Sequence, residues 1–276
     1  MLPAERFSSR VAEYRKHRPD YPPDIVAILK NAGVLRSWTI VADIGSGTGL
    51  LTRLFFAYAR TVYGVEPNAA MRRQAEQDYA DVANFISSPG SAEHTGLPPA
   101  SIDLVTAGQA FHWFDRDKAY DEFRRILRPG GSVLLAWNYR DIEADELQRR
   151  YEAILEEFIP DYKQLDHKTM TDAKIHDFYH HNTVRKFTLP NSQRFDLDSL
   201  QGRVLSSSYV PKSPHPVAAQ VLSRVQNLFD AFQQDGTIQF IYKTVLYLGR
   251  LNSPDAPAAD HHFGSASPNE DHSHDR

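Results

Sequence analysis

The chain has 276 residues, 41% apolar and 24% charged, with a formal net charge of −4 and no cysteine. That length supports one large core or two small ones, and the missing cysteine excludes disulfide staples, thiol nucleophiles and cysteine-ligated zinc. Ser253–Arg276 sets Asp255, Asp260, Glu270, Asp271 and Asp275 against Arg276 alone, which accounts for the whole −4 and leaves residues 1–252 neutral, with no large basic field for nucleic acid.

The start, Met1-Leu2-Pro3-Ala4-Glu5-Arg6, lacks the charged region and apolar stretch of a secretory signal. No apolar run approaches the ~18 residues of a membrane span. The expectation is a soluble cytoplasmic protein with neither membrane nor nucleic-acid partner; Arg10, Arg15, Lys16 and Arg18 form too small a basic cluster to alter it. Thr39–Ile44 is a continuous apolar run closed by glycines, as suits a buried parallel strand. Thr48–Ala59 reads as a helix, Thr61–Val65 as a second strand, Asn68–Tyr79 as a second helix and Asn84–Ser87 as a short third strand. Ile102–Ala107 is the fourth strand, and Asp115–Leu127 a helix with Ala119, Phe123, Ile126 and Leu127 on one stripe. Arg128-Pro129-Gly130-Gly131 stops that helix, and Ser132–Trp137 is the fifth strand.

Alternating strands and helices predict an α/β sheet with right-handed crossovers. Beyond Trp137, Ile142–Phe158, Asp172–His181, Leu197–Ser206 and Val217–Phe232 read as helices. Val184–Leu189 and Thr237–Leu248 read as two last strands of the same sheet, so that the helices after strand five form a cap. From Ser253 the chain is rich in Ser, Pro, Asp and His with almost no large apolar residue, the composition of a disordered tail. His261, His262, His272 and His274 there could bind metal weakly or simply be solvated.

The strongest chemical signal is Val41-Ala42-Asp43-Ile44-Gly45-Ser46-Gly47-Thr48-Gly49 at the end of the first strand. Glycines let backbone approach a ligand closely. Asp43 stands at the strand's carboxyl end, where open α/β sheets bind ligands. Glu66 ends the second strand, and a carboxylate there can accept hydrogen bonds from both hydroxyls of a ribose. Leu50 stands where a dinucleotide fingerprint needs its last glycine, and no Gly-Lys-Ser/Thr is present. The pattern therefore fits an adenosine ligand whose tail is not a pyrophosphate.

Asp43-Ile44-Gly45-Ser46-Gly47-Thr48-Gly49, with Val65-Glu66-Pro67-Asn68 and Met71, resembles class I S-adenosylmethionine-dependent methyltransferases. Gly90-Ser91-Ala92-Glu93, Ser101–Val105, Phe111-His112-Trp113-Phe114 and Leu127–Gly131 are similar to the small-molecule branch grouped with trans-aconitate methyltransferases. The resemblance covers roughly residues 5–250. It implies a seven-stranded Rossmann-like sheet, last strand antiparallel, with a helical cap after strand five. Residues 1–252 would be one methyltransferase domain, with residues 1–30 as an N-terminal lid segment, the cap helices within 140–235, and 253–276 as the tail. The implied reaction is methyl transfer from S-adenosylmethionine to a small molecule through oxygen, a carboxylate or a hydroxyl.

The resemblance also implies roles. Asp43, Gly45, Ser46, Gly47 and Gly49 would hold the methionine part of the cofactor, and Glu66 its ribose. Pro67, Asn68 and Met71 would lie beside the adenine, with Ser91, Ala92 and Glu93 at its edge and Gln109 and Ala110 near the sulfur. In the lid, Tyr14 and Tyr21 would close the pocket and Arg18 would pair with a carboxylate.

Other residues are read directly. His112 is a candidate base or hydrogen-bond donor, or else a core histidine, and it stands with Trp113 among aromatics suited to stacking. Asn138, Tyr139 and Arg140 follow strand five as candidate acceptor contacts. His176 and His180 lie one helical turn apart without a third ligand, which favours a solvated helix face over a metal site; no metal is expected. A monomer or weak homodimer is expected. The rivals are another reaction on the same cofactor, a non-catalytic cofactor-binding or interaction protein that kept the fold, and a nucleic-acid or protein methyltransferase. The last is disfavoured by the neutral body and by Gln109-Ala110-Phe111-His112 in place of Asn/Asp-Pro-Pro-aromatic.

Overall fold

The structure, a computed structural model, describes residues 11–160, 162, 170–180, 182–207, 209–211 and 214–251. The expected tail with its histidines, and residues 1–10 of the expected lid segment, lie outside them. In chain order the elements are α1 (Val11–His17), α2 (Asp24–Asn31), β1 (Ile40–Ile44), β2 (Thr61–Val65), α3 (Ala69–Asp78), β3 (Phe85–Ser88) and β4 (Ile102–Gly108). There follow α4 (Arg116–Ile126), β5 (Leu127–Arg140), α5 (Glu146–Phe158), α6 (Asp172–Phe178), β6 (Val184–Phe195), α7 (Leu197–Leu205), α8 (Pro216–Phe232) and β7 (Ile238–Gly249).

The seven strands form one sheet in the order β3-β2-β1-β4-β5-β7-β6. Strands β1 to β5 pair in parallel, and β7 runs antiparallel to both β5 and β6. The strand order reverses between β1 and β4, so a crevice opens at the carboxyl ends of these two strands.

Period-two alternation gives the sheet two apolar faces. Ala42, Ile44, Val105, Ala107, Leu135 and Trp137 pack with α4 and α6 on one side. Val41, Val62, Leu104, Leu134 and Ala136 pack with Ile25 and Leu29 of α2 and with Phe55 on the other. A third core joins α5, α7 and α8 to Phe195, Ile238, Phe240 and Tyr242. The strands explain how that cap is carried. β7 pairs with β5 only from Tyr242 to Gly249, yet with β6 from Ile238 to Gly249. The antiparallel β6–β7 pair thus overhangs the sheet, and its overhang supplies the platform on which the cap helices bury their apolar stripes.

Three local expectations need correction. Thr48–Ala59 is not an α-helix: turns lead to a 3₁₀ turn at Thr52–Phe55. Gly49 lies in the left-handed region at φ +84°, and the Thr52 hydroxyl is committed to Asp43, so regular α-helical turns cannot start from the glycine loop. β6 runs on past Leu189 through Pro190 to Phe195, which is possible because it is an edge strand whose proline need not donate. Arg128–Gly131 stops α4 as expected, but is absorbed into β5, with a register irregularity opposite Ile102–Leu104.

Candidate functional site

A cavity of about 370 Å³ lies at the crevice above β1, β2 and β4. Its floor is the glycine loop. Gly45 adopts φ +67°, and a Cβ there would meet the Ala110 Cβ at 2.6 Å, so only glycine lets β1 turn beneath the β4 end. Asp43 is buried, and its two carboxylate oxygens accept from the Thr52 hydroxyl at 2.6 Å and the Thr106 hydroxyl at 2.8 Å. Burial pushes the Asp43 carboxyl up to about 6, against the lowering effect of the two threonines.

Glu66 faces it from the end of β2. Its carboxylate accepts from Gly47 N at 2.9 Å and Asn68 N at 2.8 Å. One side chain thereby ties the glycine loop to the start of α3, while each oxygen keeps a lone pair for a ligand. Burial raises its carboxyl too, opposed by those two backbone donors. The Asn68 side chain caps α3, accepting from Ala70 N and Met71 N. At the end of β4, Gln109 sits at φ +54°, unusual for a residue with a side chain. Its amide donates to the Asn138 carbonyl at 2.9 Å, and this anchors the strained turn.

The N-terminal segment forms one wall. Arg18, Pro19 and Tyr21 border the cavity, and Tyr21 packs so closely on Gly108 that a Cβ there would lie 2.6 Å from the phenol oxygen. Arg15 pairs with Asp78 of α3 at 2.6 Å, Arg53 pairs with Asp20, and Arg18 donates to the Ser206 carbonyl behind α7 at 3.2 Å. Asn138 Nδ2 donates to the Pro19 and Asp20 carbonyls, and its Oδ1 accepts from Thr244 and Asn191. Asn138 therefore borders the cavity chiefly as the clamp that holds this wall.

Of the residues expected at the cofactor, Asp43, Gly45, Ser46, Gly47, Glu66, Pro67, Asn68, Met71, Ser91, Ala92, Glu93, Gln109 and Ala110 all border the one cavity. Gly49 does not. The Tyr79 ring fills its side, 2.4 Å from where a Cβ would stand, and the Tyr79 hydroxyl donates to the Gly49 carbonyl at 3.0 Å. Gly49 packs against Tyr79.

Among the expected acceptor contacts, Arg18, Tyr21, Trp113 and Asn138 border the cavity, whereas His112 and Tyr139 do not. His112 lies in the single 3₁₀ turn Phe111–Trp113, with its ring beside Trp113 at 4.9 Å; successive side chains of so tight a turn diverge, and Trp113 and Phe114 take the inward places. Tyr139 is one residue past Asn138 and so faces the opposite side of the sheet, stacked on Trp137; burial there pushes its phenol up to about 12. Arg140 turns into the cap and pairs with Glu152. The Tyr14 side chain is outside what the structure describes. Among the described residues no cluster suits a metal, and His180 stacks on Tyr120 with centroids 3.9 Å apart.

Phe114 of the aromatic run borders the cavity as well, and so do Leu50, Leu51, Gly108, Arg203 and Tyr242, which are not among the contacts expected from the sequence. Leu50, Leu51 and Gly108 sit beside motif residues, where adjacency is the available signal. Arg203 and Tyr242 come from α7 and β7, far away in sequence, with no local signal.

An adenosine ligand with a cationic tail fits these walls. Two carboxylates, Asp43 and Glu66, would repel a pyrophosphate but suit hydroxyls and an ammonium group. Leu50, Leu51, Met71 and Ala92 offer apolar surface to a ring. The buried Thr48 hydroxyl borders the same space without a hydrogen-bond partner, as a polar ligand would require.

Comparison with known proteins agrees with this geometry. A family model described as a methyltransferase domain matches residues 42–135. An uncharacterized methyltransferase of Mycobacterium tuberculosis is 31% identical over 222 residues, covering 80% of this chain and 84% of that protein. An uncharacterized methyltransferase of Schizosaccharomyces pombe is 33% identical over 136 residues, which span 49% of this chain and 53% of that protein. Among solved structures, a provisionally assigned type II methyltransferase from Anaeromyxobacter dehalogenans shares the fold with a TM-score of 0.59 at 23% identity, covering 84% of this chain and 97% of that one.

Proposed function

The chain belongs to the class I S-adenosylmethionine-dependent methyltransferases, and from that premise we propose that it methylates an oxygen of a small-molecule acceptor, a carboxylate before a hydroxyl. The observation that carries this reading is the lining of the cavity, which combines the glycine loop and Glu66 with the Arg18–Tyr21 segment and with Arg203 and Tyr242 of the cap. A pocket of about 370 Å³ lined by both sheet and cap suits a small molecule rather than a nucleic-acid strand or a protein surface.

When bound, S-adenosylmethionine supplies a methyl group on a sulfonium, activated for transfer with the bonding pair left on sulfur. The residues of this chain bind and orient. Asp43, with Gly45, Ser46 and Gly47, holds the methionine portion, Glu66 accepts from the ribose hydroxyls, and Pro67, Asn68 and Met71 flank the adenine. Ser91, Ala92 and Glu93 edge the ring, and Gln109 and Ala110 lie along the path to the acceptor. Tyr21, Trp113 and Phe114 exclude water and fix the line of approach, the main contribution that such a transfer needs. A carboxylate has no proton to remove, in keeping with the position of His112 outside the cavity. Sheet and cap act as one catalytic unit, in the cytoplasm, as a monomer or weak homodimer.

The test incubates the purified protein with methyl-labelled S-adenosylmethionine and a metabolite extract. The reading predicts S-adenosylhomocysteine together with label on a small molecule, released as methanol by mild alkali if the product is an ester. Label confined to protein or nucleic acid would overturn it.

A further inference from the structure

Two buried polar atoms at the cap side of the cavity have no hydrogen-bond partner among the described residues: Nε of Arg203 and the hydroxyl of Tyr242. Arg203 is 8% exposed and Tyr242 2%. Arg203 Nη1 donates to the Ser207 hydroxyl at 2.9 Å, but no carboxylate among the described residues pairs with the guanidinium. The contrast with Arg140 is instructive. That arginine is also buried in the cap, and it has a counter-ion, Glu152, and the Tyr162 hydroxyl at 3.1 Å. Glu152 is thereby engaged, and Arg140 adds a second positive charge to the surroundings of Arg203.

A guanidinium does not shed its proton in a protein. With no counter-ion among the described residues it is strongly unfavourable when buried, so its place against a ligand cavity suits it to receive an anion. The planar fork of Arg203 matches an oxyanion, and the Tyr242 hydroxyl provides a further donor. Arg18, bordering the same cavity from the N-terminal wall, strengthens the positive field. We propose that Arg203 and Tyr242 form an oxyanion subsite, for a carboxylate or phosphate group of the acceptor, and so determine acceptor specificity. The subsite rests on the small-molecule reading above and names the chemistry of the molecule. Its residues come from α7 and β7, whereas the groups assigned to the cofactor come from β1, β2 and β4. Acceptor recognition is thus carried by the cap and cofactor recognition by the sheet.

Calorimetry on the full chain tests this in two stages. S-adenosylhomocysteine is titrated first, into the wild type, R203Q, R203K and Y242F. The saturated proteins are then titrated with glutarate, propane-1,2,3-tricarboxylate, benzoate and inorganic phosphate, and with glutaramide and benzamide as neutral counterparts. The proposal predicts S-adenosylhomocysteine affinity within twofold across the four proteins. It predicts that at least one anion binds the loaded wild type ten times more tightly than glutaramide or benzamide, loses that advantage in R203Q, weakens a few-fold in Y242F and is largely retained in R203K. Carboxylate or phosphate preference identifies the source of the oxyanion. A tenfold loss of S-adenosylhomocysteine in R203Q, with 5′-methylthioadenosine unaffected, would overturn the proposal by giving Arg203 to the cofactor's own carboxylate. Binding of no anion above its neutral counterpart would overturn it as well. Failure of the wild type to bind S-adenosylhomocysteine would instead strike the cofactor site itself, so the two failures are distinguishable. R203K, which keeps the charge, guards against a fold defect in R203Q.

Discussion

Asp43→Asn should stabilise the ligand-free protein at neutral pH while weakening its cofactor binding. Asp43 is 1% exposed, and burial holds its carboxyl at about 6, well above the ordinary aspartate range. A group whose folded pKa is raised favours the folded state most below its unfolded pKa, and that contribution is lost as pH rises through the folded pKa. The shift corresponds to about 3 kcal/mol of cost above pH 6, roughly half of which has disappeared by about pH 5. Asparagine removes the charge but keeps one acceptor for two threonine donors, Thr52 and Thr106, a loss of about 1 kcal/mol. The net gain in the variant is therefore about 2 kcal/mol near pH 7.5, shrinking toward zero near pH 5. Urea unfolding of wild type and variant at both pH values reads this directly. In wild type, affinity for the cationic cofactor should fall by up to about tenfold per unit below pH 6, and the variant should lose that dependence. A stability difference that does not change with pH would refute the argument, because Asp43 would then not titrate in that range.

Gly49→Ala should destabilise by about 2 kcal/mol or more, since its Cβ collides with the Tyr79 ring at positive φ, whereas Gly47→Ala, whose Cβ meets nothing within 4 Å, should cost only the backbone strain of about 1 kcal/mol. Thermal and urea midpoints compare the two. His112→Ala should leave turnover within about threefold of wild type, because the ring does not border the cavity; a loss of several hundredfold in kcat would restore the imidazole as a base. Glu152→Gln should cost about 3 kcal/mol by leaving the buried Arg140 without its counter-ion. Equilibrium unfolding measures that loss.

The cofactor side of the site was legible because its residues are local. Asp43, the glycines and Glu66 sit at strand ends that topology must bring to one crevice, and thirteen of the fourteen residues expected there do border one cavity. Gly49 is the exception, since the tyrosine that demands it, Tyr79, stands 30 positions away and carries no mark of contact in the sequence. At the rim, His112 and Tyr139 stand outside the cavity for a common reason. His112 and Tyr139 each adjoin a lining residue, and a tight turn or a strand sends neighbouring side chains in opposite directions. Composition located both, but only the register decides which faces inward. Arg203 and Tyr242 are beyond the reach of the sequence for another reason: α7 and β7 meet the cavity through the overhang of the antiparallel β6–β7 pair, a tertiary arrangement that neither helix periodicity nor strand pattern encodes. The strands themselves were read well, because buried β-branched runs between turns leave little choice. The Thr48–Ala59 helix was misread because periodicity cannot show that Thr52 is tied to Asp43.

The most direct test of the central claim is calorimetric titration of S-adenosylhomocysteine into the wild type and Glu66→Ala, with the thermal midpoint of each protein recorded beside it. The account predicts micromolar binding by the wild type. It predicts a loss of at least about tenfold in the variant, from hydrogen bonds to a charged acceptor worth roughly 1.5–3 kcal/mol. No heat and no thermal shift from folded wild-type protein at saturating ligand, or equal affinities in the two proteins, would contradict it.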